Sequence, residues 1–254
     1  SRKREKDVLP MLNIFSKNFT QEIDFSRDDL KTLFSIVYPT TKDYIDLENL
    51  SQTDREKYVP KDLDAKVYLD YDKNNFITAD IKFVYGDQEF NPLLENDLEI
   101  SRDAIKESEV LEMFRKTGFM LDEKNARLIL TNDEYIYNFL TNDIERYMQK
   151  LEVLATDNFK QKEVKQPRIV SLGVRVENNL LNIDLTKIDF DPTELVNILN
   201  KYKLKKKFYR LKDGSFLDLQ DNENLEFLNN ITESLDIDYK ELEKGNIKLP
   251  IYRT

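Results

Sequence analysis

Apolar residues recur along this chain with two periods, and each switch between them marks an element boundary. Leu30, Leu33, Phe34 and Val37 share one helical face. Ser26 can cap that helix, with Asp29 three positions on, and Pro39 is expected to stop it. Residues 40–64 are polar and acidic, with Tyr44, Ile45, Leu47 and Leu50 suggesting a partly packed helix or loop. A period of two then takes over. Val67, Leu69 and Tyr71, and later Ile77, Ala79, Ile81, Phe83 and Tyr85, alternate with polar residues. A three-residue loop of Lys73, Asn74 and Asn75 puts both apolar sets on one face of a hairpin. A helix is expected over 101–116, with Ala104, Ile105, Leu111 and Phe114 for burial, then a hairpin over 119–130. A second helix over 132–149 carries Ile136, Phe139, Leu140, Ile144 and Tyr147.

Residues 160–168, with Pro167 and four Lys or Arg, read as a connector. Beyond it, pairing Val176 with Leu181 and Val174 with Ile183 needs a two-residue Asn178-Asn179 loop, and Asn tolerates the positive φ of such turns. Asp191-Pro192-Thr193-Glu194 supplies a cap, a Pro at the first helical position and an acid at the third. Leu195, Ile198, Leu199 and Tyr202 follow at helical spacing. A hairpin over 207–219 turns at Lys212-Asp213-Gly214, with Gly214 left-handed and Tyr209, Leu211, Leu217 and Leu219 on one face. A last helix covers about 222–235.

The expected fold is therefore α+β: two units of hairpin, helix, hairpin and helix behind an N-terminal helix. The expected division is 1–64 (helical segment and acidic connector), 65–159 (first unit), 160–168 (connector) and 169–254 (second unit).

Composition narrows the chemistry. The chain has 254 residues, enough for a substantial core, and no Cys or His. Thiolate nucleophiles, disulfides and the commonest general base and metal ligand are thereby excluded. Five Gly leave no phosphate-binding loop and no dinucleotide fingerprint. No apolar run is long enough to span a bilayer, and the basic start SRKREKD has no signal-peptide core behind it, so no membrane partner is expected. The lack of Cys fits a cytoplasmic protein.

Charge is unevenly placed. The formal net charge is −10, yet seven of the twelve residues from Lys201 to Lys212 are Lys or Arg and none is acidic, which leaves −17 for the rest. Lys201, Lys203, Lys205, Lys206, Lys207, Arg210 and Lys212 are the candidate binding residues, for nucleic-acid phosphates or an acidic partner, with Tyr202 and Tyr209 beside them. The plainer explanation is a helix end that collects cations on a solvated surface.

Two other sets stand out. Asp70, Asp80 and Lys82 project from the polar face of the first hairpin, as metal-dependent nuclease residues do and as any half-buried sheet does. The ordinary sheet is favoured, so no catalytic and no metal-binding residue is assigned. Arg102, Asp103 and Glu107 read as an exposed helix start, with a fixed polar clasp as the alternative.

Several phrases in order, LDYDKNNFITADIKFVYGD, Arg102-Asp103 with Glu107, Thr117-Gly118-Phe119, NDEYIYNFL and above all KKKFYRLKDGSFLDL, resemble the bacterial Swi/Snf-helicase-associated domain over nearly the whole chain. The resemblance implies a non-enzymatic accessory region N-terminal to an ATP-driven translocase on double-stranded DNA. The ending Lys248-Leu249-Pro250-Ile251-Tyr252-Arg253 is similar to the approach to that motor. ATP and Mg²⁺ would belong to the motor alone, with no cofactor in this chain. The expected partners are the motor in cis and double-stranded DNA. A free-standing protein-interaction module with an acidic surface is the alternative, and a hydrolytic enzyme is the weakest class.

Overall fold

The computed structural model describes residues 26–44, 46–48, 50–95, 98, 100–168, 173–184, 190–237 and 239–250. The basic start, Ile45 and residues 251–254 lie outside them. The protein is α+β, with several small sheets. Its described residues form two compact units. One draws on the described residues within 1–72, 76–131 and 143–156, the other on those within 73–75, 132–142 and 157–254.

The first helix, α1 (Arg27–Thr32), begins with the expected capping box between Ser26 and Asp29. Pro39 does not end it. A π-helical turn, Leu33–Val37, leads into α2 (Tyr38–Thr41), which contains Pro39 near its start. The wider turn makes room for a ring that would clash with a carbonyl in a regular helix. The hydroxyls of Thr40 and Thr41 donate to the Val37 carbonyl at 2.8 and 2.9 Å. The polar stretch that follows contains α3 (Gln52–Tyr58), capped by Ser51.

β1 (Leu63–Tyr71) and β2 (Ile77–Tyr85) pair antiparallel in the expected register, Tyr71 opposite Ile77 and Val67 opposite Ile81. β3 (Gln88–Phe90) folds back on β2. Then come α4 (Ala104–Thr117), β4 (Met120–Asp122) and β5 (Arg127–Leu130). The next helical run is α5 (Asp133–Asn138), a π-helical turn (Phe139–Asp143) and α6 (Ile144–Lys150). β6 (Glu152–Ala155) joins β1 in parallel, giving the order β4-β5-β2-β1-β6. Val67, Leu69, Ile77, Ala79, Ile81, Phe83 and Leu130 are buried on one face. Phe114 of α4 and Tyr147 of α6 meet edge to face, centroids 4.8 Å apart, and each is fully buried. Burying a side chain of that size is worth about 1.5–3 kcal/mol.

The start of α4 corrects the expectation of an exposed helix end. Asp103 and Glu107 are only 5% and 7% exposed. Glu107 receives the Arg102 guanidinium and the Tyr85 hydroxyl, and that hydroxyl accepts from the Asp103 amide. The Arg102 guanidinium also lies over the Phe90 ring at 4.6 Å. Buried charges persist where they are paired and hydrogen-bonded, and this clasp ties α4 to β2 and β3.

In the second unit the stretch read as a connector carries structure: α7 (Asp157–Gln161) ends in it, and β7 (Val164–Lys165) pairs in parallel with a later strand. β8 (Gly173–Glu177) and β9 (Leu180–Asp184) pair as expected, with Val176 opposite Leu181. Their turn residues Asn178 and Asn179 both have positive φ, 51° and 59°. A 3₁₀ turn, Pro192–Glu194, opens α8 (Leu195–Lys203). β10 (Phe208–Arg210) and β11 (Phe216–Asp218) place Tyr209 opposite Leu217, and Gly214 turns at φ 88°. α9 (Glu223–Ser234), α10 (Tyr239–Leu242) and β12 (Asn246–Pro250) complete the unit. Lys248-Leu249-Pro250, the described part of the expected lead-in, is strand paired with β9.

Ile183, Leu195, Ile198, Leu199, Leu217, Leu225 and Ile247 share one core. The strands lie in two three-stranded sheets, β10-β11-β7 and β12-β9-β8. In the first unit the two hairpins share a sheet through β2 and β5; among the described residues of the second they do not. What recurs is the order of elements, not the strand pairing, so the units are not two copies of one fold.

Candidate nucleic-acid interface

The basic segment grows from the end of α8. At the other end of that helix, the Asp191 carboxylate accepts from the Thr193 amide at 2.9 Å, and this backbone bond leads the causes that hold its pKa below the usual carboxylate range. Leu195, Ile198 and Leu199 anchor the helix in the core. Its last turn closes by paired hydrogen bonds, from the Lys205 amide to the Tyr202 carbonyl at 2.8 Å and from the Lys206 amide to the Lys201 carbonyl at 3.0 Å. This is a Schellman motif, in which the position held by Lys205 is left-handed and usually Gly. Lys205 sits there at φ 53°. The motif commonly adds an apolar contact between the two positions that are Lys201 and Lys206 here.

The seven cations separate into two groups. Arg210 is turned inward, its side chain only 15% exposed, bonding Asp133 and the Asn75 carbonyl and lying over the Phe216 ring at 5.1 Å. Lys203 pairs with Glu233 at 3.2 Å, and Lys212 donates to the Thr193 hydroxyl at 3.2 Å. Lys201, Lys205, Lys206 and Lys207 are exposed and make no side-chain hydrogen bond or ion pair with the described residues. Exposed Leu204 lies among them. Tyr209, expected beside the cations, donates to the buried carboxylate of Glu194 at 3.2 Å instead. Burial and then that carboxylate raise the Tyr209 pKa.

Asp70 accepts from the Thr156 hydroxyl at 2.6 Å. Asp80 is half-buried, and desolvation raises its pKa against the pull of Arg127 and Lys82. Among the described residues no group of acidic side chains is placed to hold a metal ion. A groove of about 500 Å³ runs beside α4, between Leu93, Ala104, Leu111, Phe119, Leu121 and Leu128. Its two carboxylates are engaged, Glu107 in the clasp and Glu112 with Arg115 and Lys116. The hydrogen bond from Arg115 leads the causes that hold the Glu112 pKa low. No helix among the described residues is long and apolar enough to cross a membrane.

What the sequence missed is the inward role of Arg210 and the burial of Phe216 and Tyr137. Phe208 and Phe216 alternate with the apolar set already counted, a signal that both faces of the hairpin are covered.

The chain belongs to the family described as bacterial SNF2 helicase associated, which it matches over residues 1–254. No curated protein and no solved structure matches it.

Proposed function

We infer that this chain is a non-catalytic accessory region of a Swi/Snf-type, DNA-translocating ATPase, docking on or regulating the motor in cis. The observation that carries this reading is the family match over the whole chain, a family described by its association with a helicase. The chemistry of the chain supports it. There is no His or Cys, no Gly-Lys-Thr or Gly-Lys-Ser loop, and the groove beside α4 has both its carboxylates committed to cations. ATP and Mg²⁺ would be held by the motor, in the cytoplasm where it meets double-stranded DNA.

The test compares ATP hydrolysis by the motor with and without this region, over a range of DNA concentrations. A changed maximal rate or a changed DNA concentration at half-stimulation is expected. Identical curves, together with failure of the two parts to co-purify, would remove the accessory reading.

A further inference from the structure

Local rules and local sequence disagree at the end of α8. A Schellman cap is most stable with Gly at its left-handed position, because a Cβ there costs about 1 kcal/mol. This cap has Lys205 at that position, at φ 53°. It also has Lys201 and Lys206 where an apolar pair would strengthen it, and Lys207 follows directly. Sequences that break a local rule without a folding gain do so most often at functional sites. The helix dipole favours cations here but does not require a side chain at the left-handed position.

We propose that Lys201, Lys205, Lys206 and Lys207 form a sequence-independent site for the phosphate backbone of double-stranded DNA, and that Lys203, Arg210 and Lys212 take no part in it. The site gives the accessory region its own hold on DNA and so rests on the reading above. The chemistry of the four side chains selects the ligand. A flexible ammonium supplies charge without fixed geometry, which suits a row of phosphates at variable register. Lysine binds phosphate as a point charge, and the only Arg of the segment, which could add a bidentate contact, is turned inward on Asp133. Contacts to phosphates fix position and orientation without carrying sequence information, which makes the site sequence-independent.

The experiment measures binding of a fluorescent DNA duplex to the chain over a series of salt concentrations. In one variant Lys201, Lys205, Lys206 and Lys207 are changed together to Gln; in the control Lys203→Gln and Lys212→Gln are combined. Each phosphate contact contributes about 0.9 to the slope of log K against log salt, so the four-residue variant should be shallower by roughly 3 to 4. The control should keep the slope of the parent, and a duplex of unrelated sequence should bind equally. Lys205→Gly guards against a folding artefact, because it relieves the cap and should remove a slope of about 0.9. An unchanged slope in the four-residue variant would overturn the site. So would an unchanged duplex affinity alongside lost binding to poly-glutamate, which would assign the cap to an acidic protein surface. Either of these results, with an ATPase still sensitive to removal of the region, would leave the accessory reading standing.

Discussion

The hydroxyl of Tyr85 donates to Glu107 Oε1 at 2.8 Å and accepts from the Asp103 amide at 2.9 Å, so one oxygen joins β2 to the first turn of α4. Burial, reinforced by the Glu107 carboxylate, pushes the Tyr85 pKa far above its ordinary value. The hydrogen bond to Glu107 leads the causes that raise the Arg102 pKa. Tyr85→Phe should cost about 1–3 kcal/mol, because it leaves a buried amide and a buried carboxylate oxygen short of a partner. Glu107→Ala should cost about 3 kcal/mol, since Arg102 and Tyr85 both lose their partner. Chemical unfolding measures both. A loss within about 0.5 kcal/mol for Glu107→Ala, the range of ordinary surface changes, would mean that the clasp does not hold α4.

Lys205→Gly should raise stability by about 1 kcal/mol, because the left-handed backbone of the Schellman turn no longer carries a Cβ. Its reading by thermal unfolding is independent of DNA. A lower Tm would show that the Lys205 side chain stabilises the fold.

Gly214→Ala should be more damaging. The turn sits at φ 88°, and a Cβ there would lie 2.4 Å from Cγ of Asn75. The Asn75 carbonyl is already bonded to Arg210, so the neighbour has little freedom to withdraw. A loss on the order of 1–3 kcal/mol is expected, by strain and overpacking together. Equal stability of variant and parent in urea would refute that constraint.

Alkaline stability follows from Tyr147. Burial pushes its phenol up to about 12, against the hydrogen bond with Thr117 that lowers it. Its unfolded value is about 10. The folded state therefore prefers the neutral phenol. That stability is complete below about pH 10 and is lost as pH rises through about 12, on the order of 2–3 kcal/mol. Tyr147→Phe should flatten the loss without abolishing it, because Tyr85 contributes in the same direction. A parent chain whose stability did not fall over that window would contradict the assignment.

What was legible in the sequence was local. Registers of three hairpins followed from alternation plus the Asn and Gly turn residues, and the caps at Ser26 and Asp191 from short polar spacing. The parallel strands β6 and β7 were not legible, being four and two residues long and paired with distant segments. The π turn at Phe139–Asp143 breaks a regular helical phase near Tyr137, which is buried although it was not on the expected face. Burial of Asp103 and Glu107 had no signature, since acids at a helix start are ordinary. The candidate site was legible as a charge cluster but not as a selection within it. Arg210 owes its place to partners 77 and 135 residues away, which spacing cannot reveal.

The most direct measurement is ATP hydrolysis by the proposed motor carrying this region, against concentration of duplex DNA at fixed salt. Changing Lys201, Lys205, Lys206 and Lys207 to Gln should raise the DNA concentration at half-stimulation, while changing Lys203 and Lys212 should not. Superimposable curves for the parent and both variants would contradict the claim that this region serves the motor by holding DNA through its exposed lysine cap.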